Sequence, residues 1–276
     1  HESWDLGYTY NRLNGFAIAQ FYRIAVDDRD PYFIYGGLQD AHSWMGPSAT
    51  SHWLGILNSD WKQIGFSDGT GQAVDKKGHR YVYSTSSGGN LTRVDAETGD
   101  RYEIQPVAPQ GESYRYDWTA PIVASKHTAG TVYLGANKLL ISKDFGSTWT
   151  ATADLTRKVN RDTLRLAGVL NTDIRLSRND GESNYSEITA MAESPVDPLV
   201  LWAGTDDGNV QLSQDGGKSW KELSGAITGV ANGSFVDRVV ASGASRGTAF
   251  VTFDNHRIGD FTPYIFRTTD FGKSWK

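Results

Sequence analysis

The sequence predicts an all-β fold, a β-propeller of four-stranded antiparallel blades with about five blades present. Three observations predict this fold: one short phrase recurs three times, β-rich runs return at regular spacing, and Gly, Pro and Asp turns separate the runs. A repeat of about 40–55 residues in strand-rich sequence is typical of propellers, because each unit is one hairpin-based sheet that only its neighbours bury.

The recurring phrase has the pattern Ser/Thr-x-Asp-x-Gly-x-Ser/Thr-Trp and occupies residues 142–149, 213–220 and 268–275. Its Asp is suited to accept hydrogen bonds from the turn backbone, and its Gly supplies a positive φ angle. The Trp opens the next strand and packs across the hairpin. The predicted structural residues are Asp144, Gly146, Trp149, Asp215, Gly217, Trp220, Asp270, Gly272 and Trp275.

The predicted strands recur along the chain at a similar spacing. Aromatic residues that mark outer strands are Trp4, Trp61, Tyr102, Trp149, Trp220 and Trp275, at intervals of 41 to 71 residues. Innermost strands are predicted at 21–26, 72–74, 121–124, 188–192 and 236–241, and second strands at 32–35, 80–83, 131–134, 199–202 and 248–252. We therefore predict one domain over 1–276, with units of about 5–61, 62–102, 103–149, 150–220 and 221–276.

Two features of the domain leave alternatives open. A polar, charged insertion at about 155–182 lengthens the fourth unit, and it is either a surface loop or a lid or partner contact. The first and last outer strands are in phase. The N-terminal strand therefore either completes the last blade and closes a five-bladed ring, or the chain is an arc of a larger propeller. Closure is favoured because it removes exposed strand edges.

The recurring phrase resembles the Asp-box, or BNR repeat, of sialidases, xyloglucanase-type glycosidases, sortilin-like receptor domains and photosystem assembly factors. Residues 35–48 and 201–213 are similar to stretches of large secreted bacterial BNR-repeat proteins, described as sortilin-like or glycosidase-like. The resemblance covers nearly the whole chain. It implies a propeller in a secreted or periplasmic protein, as a piece of a longer exported chain. Sialidase activity is not implied, because Tyr22–Ala25 lacks the proline of that family's Arg-Ile-Pro motif.

Composition excludes several classes of function. A net charge of −5 without a basic run argues against a nucleic-acid partner. The chain has no cysteine, and no apolar run approaches the roughly 18 residues of a membrane span. The six histidines show no metal-ligand spacing and no calcium-loop motif is present, so we predict no metal site and no cofactor.

Candidate functional residues come from the mouth of the predicted channel, where residues entering the innermost strands meet the loops that join second and third strands. Asp40 and Asp68 are the first candidate catalytic acids, because both lie in Gly-rich segments that a ligand can approach. Weaker candidates are Asp117, Glu187 and Asp237, and neighbouring loops add Asn137, Asp206, Asp207 and Asn255. Candidate ligand-binding residues are Gln39, His42, Trp44, Trp53, Trp118, Tyr185, His256 and Arg257.

Two functions follow from these candidates. The first is a carbohydrate-active propeller that binds or hydrolyses a polysaccharide at the channel mouth, since glycosidic hydrolysis needs two carboxyl groups and aromatic rings stack on sugars. The alternative is a non-catalytic, sortilin-like scaffold for a protein or peptide partner. Asp and Asn residues before a strand usually cap turns, so turn-capping is the structural alternative for each single acid. Fold alone does not separate the two functions.

Overall fold

The structure is a computed structural model that describes residues 2–10, 19–76, 78–166, 168–175 and 184–276. The described residues form five antiparallel sheets, each a blade. Blade 1 holds β1 (Phe21–Val26), β2 (Phe33–Leu38), β3 (Ser43–Pro47) and β4 (Lys62–Gly65). Blade 2 holds β5 (Gly69–Val74), β6 (Tyr81–Ser86), β7 (Asn90–Asp95) and β8 (Arg101–Glu103). Blade 3 holds β9 (Ile122–Ala124), β10 (Val132–Gly135), β11 (Lys138–Ser142) and β12 (Thr150–Asp154).

The insertion follows blade 3 and carries a short hairpin of β13 (Arg165–Leu166) and β14 (Val169–Leu170). Its predicted part at 176–182 lies outside the described residues. Blade 4 holds β15 (Ile188–Ser194), β16 (Asp197–Thr205), β17 (Val210–Ser213) and β18 (Lys221–Glu222). Blade 5 holds β19 (Phe235–Ala241), β20 (Ala249–Asn255) and β21 (Asp260–Thr268). The backbones of Arg267 and Lys276 exchange two hydrogen bonds where the other blades begin a fourth strand.

The predicted fold class is confirmed, and each predicted innermost strand overlaps the observed one. The prediction at 21–26 has the bounds of β1 itself, and that at 236–241 differs from β19 by one residue. The only helical elements among the described residues are single 3₁₀ turns such as His256–Ile258. Alternation of apolar and small residues between turns is therefore enough to define these strands.

Strand direction divides the loops between two ends of the blades. Because neighbouring strands are antiparallel, the turns from first to second and from third to fourth strand share one end. The recurring phrase forms the third-to-fourth turn, so we call this the box end. The second-to-third turns and the connections between blades share the opposite end, which we call the mouth end.

Four buried apolar clusters hold successive blades together. Each cluster joins residues of two adjacent sheets, and fully burying one such side chain contributes about 1.5–3 kcal/mol. Their members include Tyr35 with Val82 between blades 1 and 2, Tyr83 with Leu134 between 2 and 3, Ile141 with Ile188 between 3 and 4, and Trp202 with Val236 between 4 and 5. The core is thus a series of interfaces between blades, as a radial arrangement requires.

The innermost strands of all five blades surround one axial cavity, the channel. Residues of β1, β5, β9, β15 and β19 line a volume of about 170 Å³ there. No comparable apolar cluster joins blade 5 to blade 1 among the described residues. Ile24 of β1 and Ile265 of β21 are instead 61% and 66% exposed. The favoured closure between last and first blade therefore lacks the apolar contact seen at the other four interfaces.

The three phrases form identical turns. In the first, Gly146 N donates to Ser142 Oγ, Ser142 Oγ donates to Asp144 Oδ1, and Thr148 donates from its N and Oγ1 to the two Asp144 oxygens. The same contacts recur at 213–219 and 268–274. Hydrogen bonds from Thr148 lower the pKa of Asp144 to about 2, and the equivalent serines do the same for Asp215 and Asp270.

A fourth copy of this turn lies at residues 3–10. Ser3, Asp5, Gly7 and Thr9 repeat the contacts of Ser142, Asp144, Gly146 and Thr148. Its aromatic position is Tyr10, whereas Trp4 occupies a variable position of the phrase. The predicted series of outer-strand aromatics is therefore wrong at its first member. Tyr in place of Trp concealed the copy in the sequence.

We call the four copies of this turn box turns, and the three at 142–149, 213–220 and 268–275 pack against the outer part of the preceding blade. Trp149 Nε1 donates to Ile104 O at 3.0 Å, and a Cβ added to Gly146 would meet Ile104 Cδ1. Gly217 and Gly272 face Ile141 and Leu223 in the same way. These glycines are needed for their positive φ angle and also for the close approach of two blades.

We expect Gly146→Ala to destabilise the protein more than Gly259→Ala. Both glycines have positive φ, at +85° and +82°, and that alone costs alanine about 1 kcal/mol. Only at Gly146 would the added Cβ also clash with the neighbouring blade, and such overpacking adds about 1–3 kcal/mol to the loss of stability. Urea denaturation of both variants measures the difference. Equal midpoints for the two variants would contradict the packing role assigned to the box glycine.

Candidate functional site

A cleft of about 420 Å³ opens at the mouth end between blades 4 and 5. The insertion forms one wall, the β16–β17 turn forms the floor, and blade 5 forms the other wall. Its lining residues are Val159, Arg161, 164–166, Asn171, Tyr185, Asp206, Asp207, 231–235, Asp237 and 254–258. The volume is within the range of about 300–1,000 Å³ that is usual for small-ligand sites.

Blade 4 anchors the insertion that makes this wall. Asp207 is fully buried, and its carboxylate accepts hydrogen bonds from Thr205 Oγ1 at 2.5 Å and from Arg157 N at 2.7 Å. Asn209 Nδ2 donates to Leu155 O at 2.6 Å. The turn that joins β16 and β17 therefore fixes where the insertion starts, which positions the cleft wall.

Asp206 is the most perturbed acid of the cleft. Burial raises its pKa to about 8, and the adjacent charge of Asp207 acts in the same direction. Hydrogen bonds to its two oxygens from Glu187 N at 2.7 Å and Ser186 N at 3.1 Å oppose this rise. Since the burial effect is larger, Asp206 holds a proton near neutral pH. A protonated carboxyl group beside a cleft is able to donate a proton or a hydrogen bond.

An arginine–aromatic pair lies on each wall of the cleft. The Arg161 guanidinium lies 5.1 Å from the Tyr185 ring centroid, and that of Arg257 lies 5.9 Å from the Phe235 centroid. Burial raises the pKa of the Tyr185 hydroxyl, so this side chain stays neutral. The cleft therefore offers aromatic rings, cationic groups and carboxyl groups together.

His256 and Asp254 form a hydrogen bond at the rim of the cleft. His256 Nδ1 and Asp254 Oδ2 lie 2.7 Å apart. Burial alone would raise the pKa of Asp254, but hydrogen bonds from the His256 backbone and ring outweigh it, so the pKa is lowered. Asp254 is therefore held as an anion on blade 5, in contrast to Asp206 on blade 4.

The perturbation of Asp206 predicts a pH-dependent stability. The unfolded chain ionises this group near its ordinary pKa of 3.8, and the folded protein ionises it near 8. Between these values the folded state binds the extra proton, so the free energy of unfolding falls as pH rises, and above pH 8 the penalty is constant. We expect Asp206→Asn to flatten this part of the profile.

Urea denaturation at about pH 4.5 and about pH 7.5 tests that expectation. Asp100→Asn, at an exposed position of blade 2, is the control and should keep the wild-type slope. A wild-type slope in Asp206→Asn would show that another group causes the pH dependence.

The structure brings seven of the sequence-predicted mouth residues together in the cleft. These residues are Tyr185, Asp206, Asp207, Asp237, Asn255, His256 and Arg257. Glu187 is 1% exposed and lies below Asp206, to which it donates its backbone N–H. Asp117 and Trp118 lie beside the channel, where Trp118 Nε1 donates to Tyr22 Oη at 3.3 Å.

The candidates on blade 1 form a separate group at the mouth end. The half-buried Asp68 accepts a hydrogen bond from Asp40 N at 2.5 Å, so this carboxylate caps the loop that contains Gln39 and His42. Trp44 Nε1 donates to Ala41 O in the same loop. None of these residues lines the cleft between blades 4 and 5.

Trp53 lies at the box end, in the β3–β4 connection, and is 86% exposed. The expectation that it sits beside the mouth loops is wrong, because an antiparallel blade places that connection at the opposite end of the sheet. Sequence reasoning placed Asp206 among the mouth loops but not among the candidate catalytic acids, and it omitted Arg161 and Phe235 from the site. Asp206 lies in an Asp-Asp-Gly turn, whereas nothing local marks Arg161 or Phe235.

Among the described residues, no three His, Asp or Glu side chains converge in a way that would hold a metal ion. In that part of the chain no helix has the length and hydrophobicity to cross a bilayer.

The fold and cleft define an all-β, five-bladed propeller with a ligand-sized site at its mouth end. No family model matches the chain. Over 102 residues it is 33% identical to an oligoxyloglucan-reducing end-specific xyloglucanase of Emericella nidulans. That match covers 37% of this chain and 11% of the relative, so the chain spans only a small part of it.

Three solved structures resemble the chain at low sequence identity, and one of them, a β-propeller domain, has a TM-score above 0.5. The β-propeller domain of Cps50 (Swd1) from Myceliophteria thermophila has a TM-score of 0.51 at 12% identity, over 91% of this chain and 67% of that one. A GH74 enzyme from Niastella koreensis has a TM-score of 0.46 at 20% identity, over 75% and 30%. YCF48 from Cyanidioschyzon merolae has a TM-score of 0.49 at 9% identity, over 94% and 84%. At these identities the likeness concerns the fold.

Proposed function

We propose that this chain is a carbohydrate-active propeller that binds a polysaccharide in the cleft between blades 4 and 5. The observation that carries the proposal is the mixed lining of the cleft, in which the Tyr185 and Phe235 rings lie beside Asp206, Asp237 and charged guanidinium groups. Sugars need this combination, because their C–H faces pack on rings and their hydroxyls bond to polar groups. The partial xyloglucanase similarity supports the same class of ligand. We also propose that the four box turns are Asp-boxes.

Hydrolysis is the further step of this proposal. Asp206 is suited to the role of general acid because it keeps its proton near neutral pH. Asp237 lines the same cleft and is the candidate for the second carboxylate, which acts as a base or as a nucleophile. The blade 1 acids Asp40 and Asp68 are the competing pair.

Binding and turnover on a panel of polysaccharides, xyloglucan included, test both steps. We expect Tyr185→Ala to weaken binding about tenfold or more, since one aromatic contact contributes about 0.5–1.5 kcal/mol beyond its burial. Asp206→Asn and Asp237→Asn should abolish turnover while binding persists. Asp40→Asn and Asp68→Asn are matched controls in the other group of acids. Turnover that is lost only in the blade 1 variants would move the site to blade 1.

A protein-binding scaffold is the second candidate, and an exposed apolar loop favours it. In the β3–β4 connection Trp53 is 86% and Leu54 is 56% exposed, with Ile56 and Leu57 beside them. Exposed apolar patches commonly mark interaction surfaces. If binding of every glycan is absent and a Trp53→Ser variant loses a protein partner, the scaffold is the function.

A further inference from the structure

The channel cavity carries a ligand-binding chemistry that the cleft does not explain. Its volume is about 170 Å³, and its polar lining comes from Arg23, Gln72, Thr119, Thr189 and Arg238. The cleft and the cavity adjoin, since Asp237 lines the first and the next residue, Arg238, lines the second. A ligand that occupied both would contact β19 at these two residues.

Arg23 supplies an unused cation to this cavity. It is half-buried on β1 and makes no hydrogen bond or ion pair with any described residue. Arg238 lies in its electrostatic range and also lines the cavity, and among the described residues its side chain makes polar contacts only with its neighbour, Asp237. Two guanidinium groups that share a small cavity repel each other and carry unused donors, and both properties favour an anion between them.

The nearby carboxylates lie outside the lining of the cavity. Asp117 and Asp237 are in electrostatic range of Arg23 but lie outside the cavity lining. Asp117 Oδ1 accepts both the N–H and the hydroxyl of Thr119, each at 2.8 Å. Asp237 Oδ1 lies 3.4 Å from Arg238 Nη1. The charged groups that line the cavity itself are therefore cationic.

Gln72 adds a second requirement on the ligand. This side chain is 7% exposed, and its Nε2 donates to Ser43 Oγ at 3.2 Å, whereas its Oε1 has no partner among the described residues. A buried acceptor without a partner costs about 1–3 kcal/mol, so a hydroxyl donor from a ligand would be favourable here. A ligand that carries an anionic oxygen and a hydroxyl group close together would therefore satisfy both the arginines and Gln72.

We propose that the channel binds the carboxylate of an acidic sugar, a uronic acid residue of the glycan held in the cleft. Arg23 and Arg238 bind the carboxylate, and Gln72 Oε1 accepts a hydrogen bond from a ring hydroxyl. This inference rests on the proposed function in taking the ligand to be a glycan. It makes the site selective for acidic over neutral polysaccharides.

Isothermal titration calorimetry with D-glucuronate and D-glucose, which differ in this carboxylate, tests the inference. We expect the wild-type protein to bind glucuronate at least about tenfold more tightly, as expected for hydrogen bonds to a charged group. Arg23→Gln should remove the preference and leave the unfolding temperature unchanged or higher, since it removes an unpaired, partly buried charge. Arg267→Gln, an exposed arginine on β21, is the matched control and should bind as wild type does.

Arg238→Gln is the second variant if Arg23→Gln does not fold, and it should also lose the preference. Equal affinity for the two sugars, or full preference in both folded variants, would overturn the inference. Binding of neutral polysaccharide without preference for acidic ones overturns the inference alone, whereas no binding of any glycan overturns the proposed function as well. Binding of a peptide with a free carboxyl terminus, without binding of glucuronate, would assign the channel to a peptide.

Discussion

Trp202→Ala should reduce the free energy of unfolding by about 3–5 kcal/mol, because large-to-small changes in a packed core lose contacts and leave a cavity. Trp202 lies on β16 and is 1% exposed. Its ring meets that of Trp275, a box tryptophan of blade 5, at 6.2 Å and 80°. One side chain therefore joins the centre of blade 4 to the outer corner of blade 5, and its loss should loosen the interface that forms the cleft.

Chemical denaturation of Trp202→Ala and Trp53→Ala measures the effect with a matched control. Trp53 is the same residue type at 86% exposure, so its removal should change stability by less than about 0.5 kcal/mol. Trp202→Phe should lie between the two. Similar midpoints for Trp202→Ala and Trp53→Ala would mean that the interface between blades 4 and 5 is not packed as described.

Asp207→Ala is expected to have the second large effect, on both stability and ligand binding. The change leaves Thr205 Oγ1 and Arg157 N without their acceptor, and a buried donor without a partner costs about 1–3 kcal/mol. The insertion would lose its backbone hydrogen bond at Arg157 and, at that residue, keep only the contacts of the guanidinium with Asn232 and Glu222, so the cleft wall would be held less firmly. We therefore expect polysaccharide binding to fall more than the loss of stability explains.

Comparison with Asp207→Asn and Thr156→Ala separates these two effects. Asp207→Asn keeps an acceptor for Thr205 but places an amide N–H₂ opposite Arg157 N, so its binding should also be impaired. Thr156→Ala removes a hydroxyl that bonds Asp154 at the base of the insertion and leaves Asp207 intact, so its binding should persist. Unchanged polysaccharide affinity in Asp207→Ala would show that the wall is positioned by other contacts.

Local patterns explain why the strands and box turns were predictable. The contacts of Asp144 lie within four residues of it, and the same is true of Asp215 and Asp270. Such a turn is determined by residues that are already adjacent in the chain. The turn at residues 3–10 was not assigned correctly because the sequence pattern was written with Trp at its last position. Its hydrogen-bonding residues fit the pattern, and only the aromatic residue, Tyr10, differs.

The cleft was only partly predictable from the sequence. Tyr185, Asp237, His256 and Arg257 were selected because each precedes or follows a strand at the mouth end. Their meeting with Arg161 depends on the path of the insertion, which runs from blade 3 across blade 4. Trp53 shows the opposite error, since an exposed aromatic residue near candidate loops in sequence lies at the other end of its blade.

The sequence by itself determined the class of fold, the positions of the strands and the chemistry of the box turns, because these depend on residue periodicity and on contacts within a few residues. Only the tertiary structure decided which acids share a cavity, that Asp206 is buried enough to retain its proton, and that Arg23 and Arg238 line one channel cavity. The physical reason is that burial and electrostatic range depend on distances between blades, and residues some 200 positions apart become neighbours only when the blades surround a common axis.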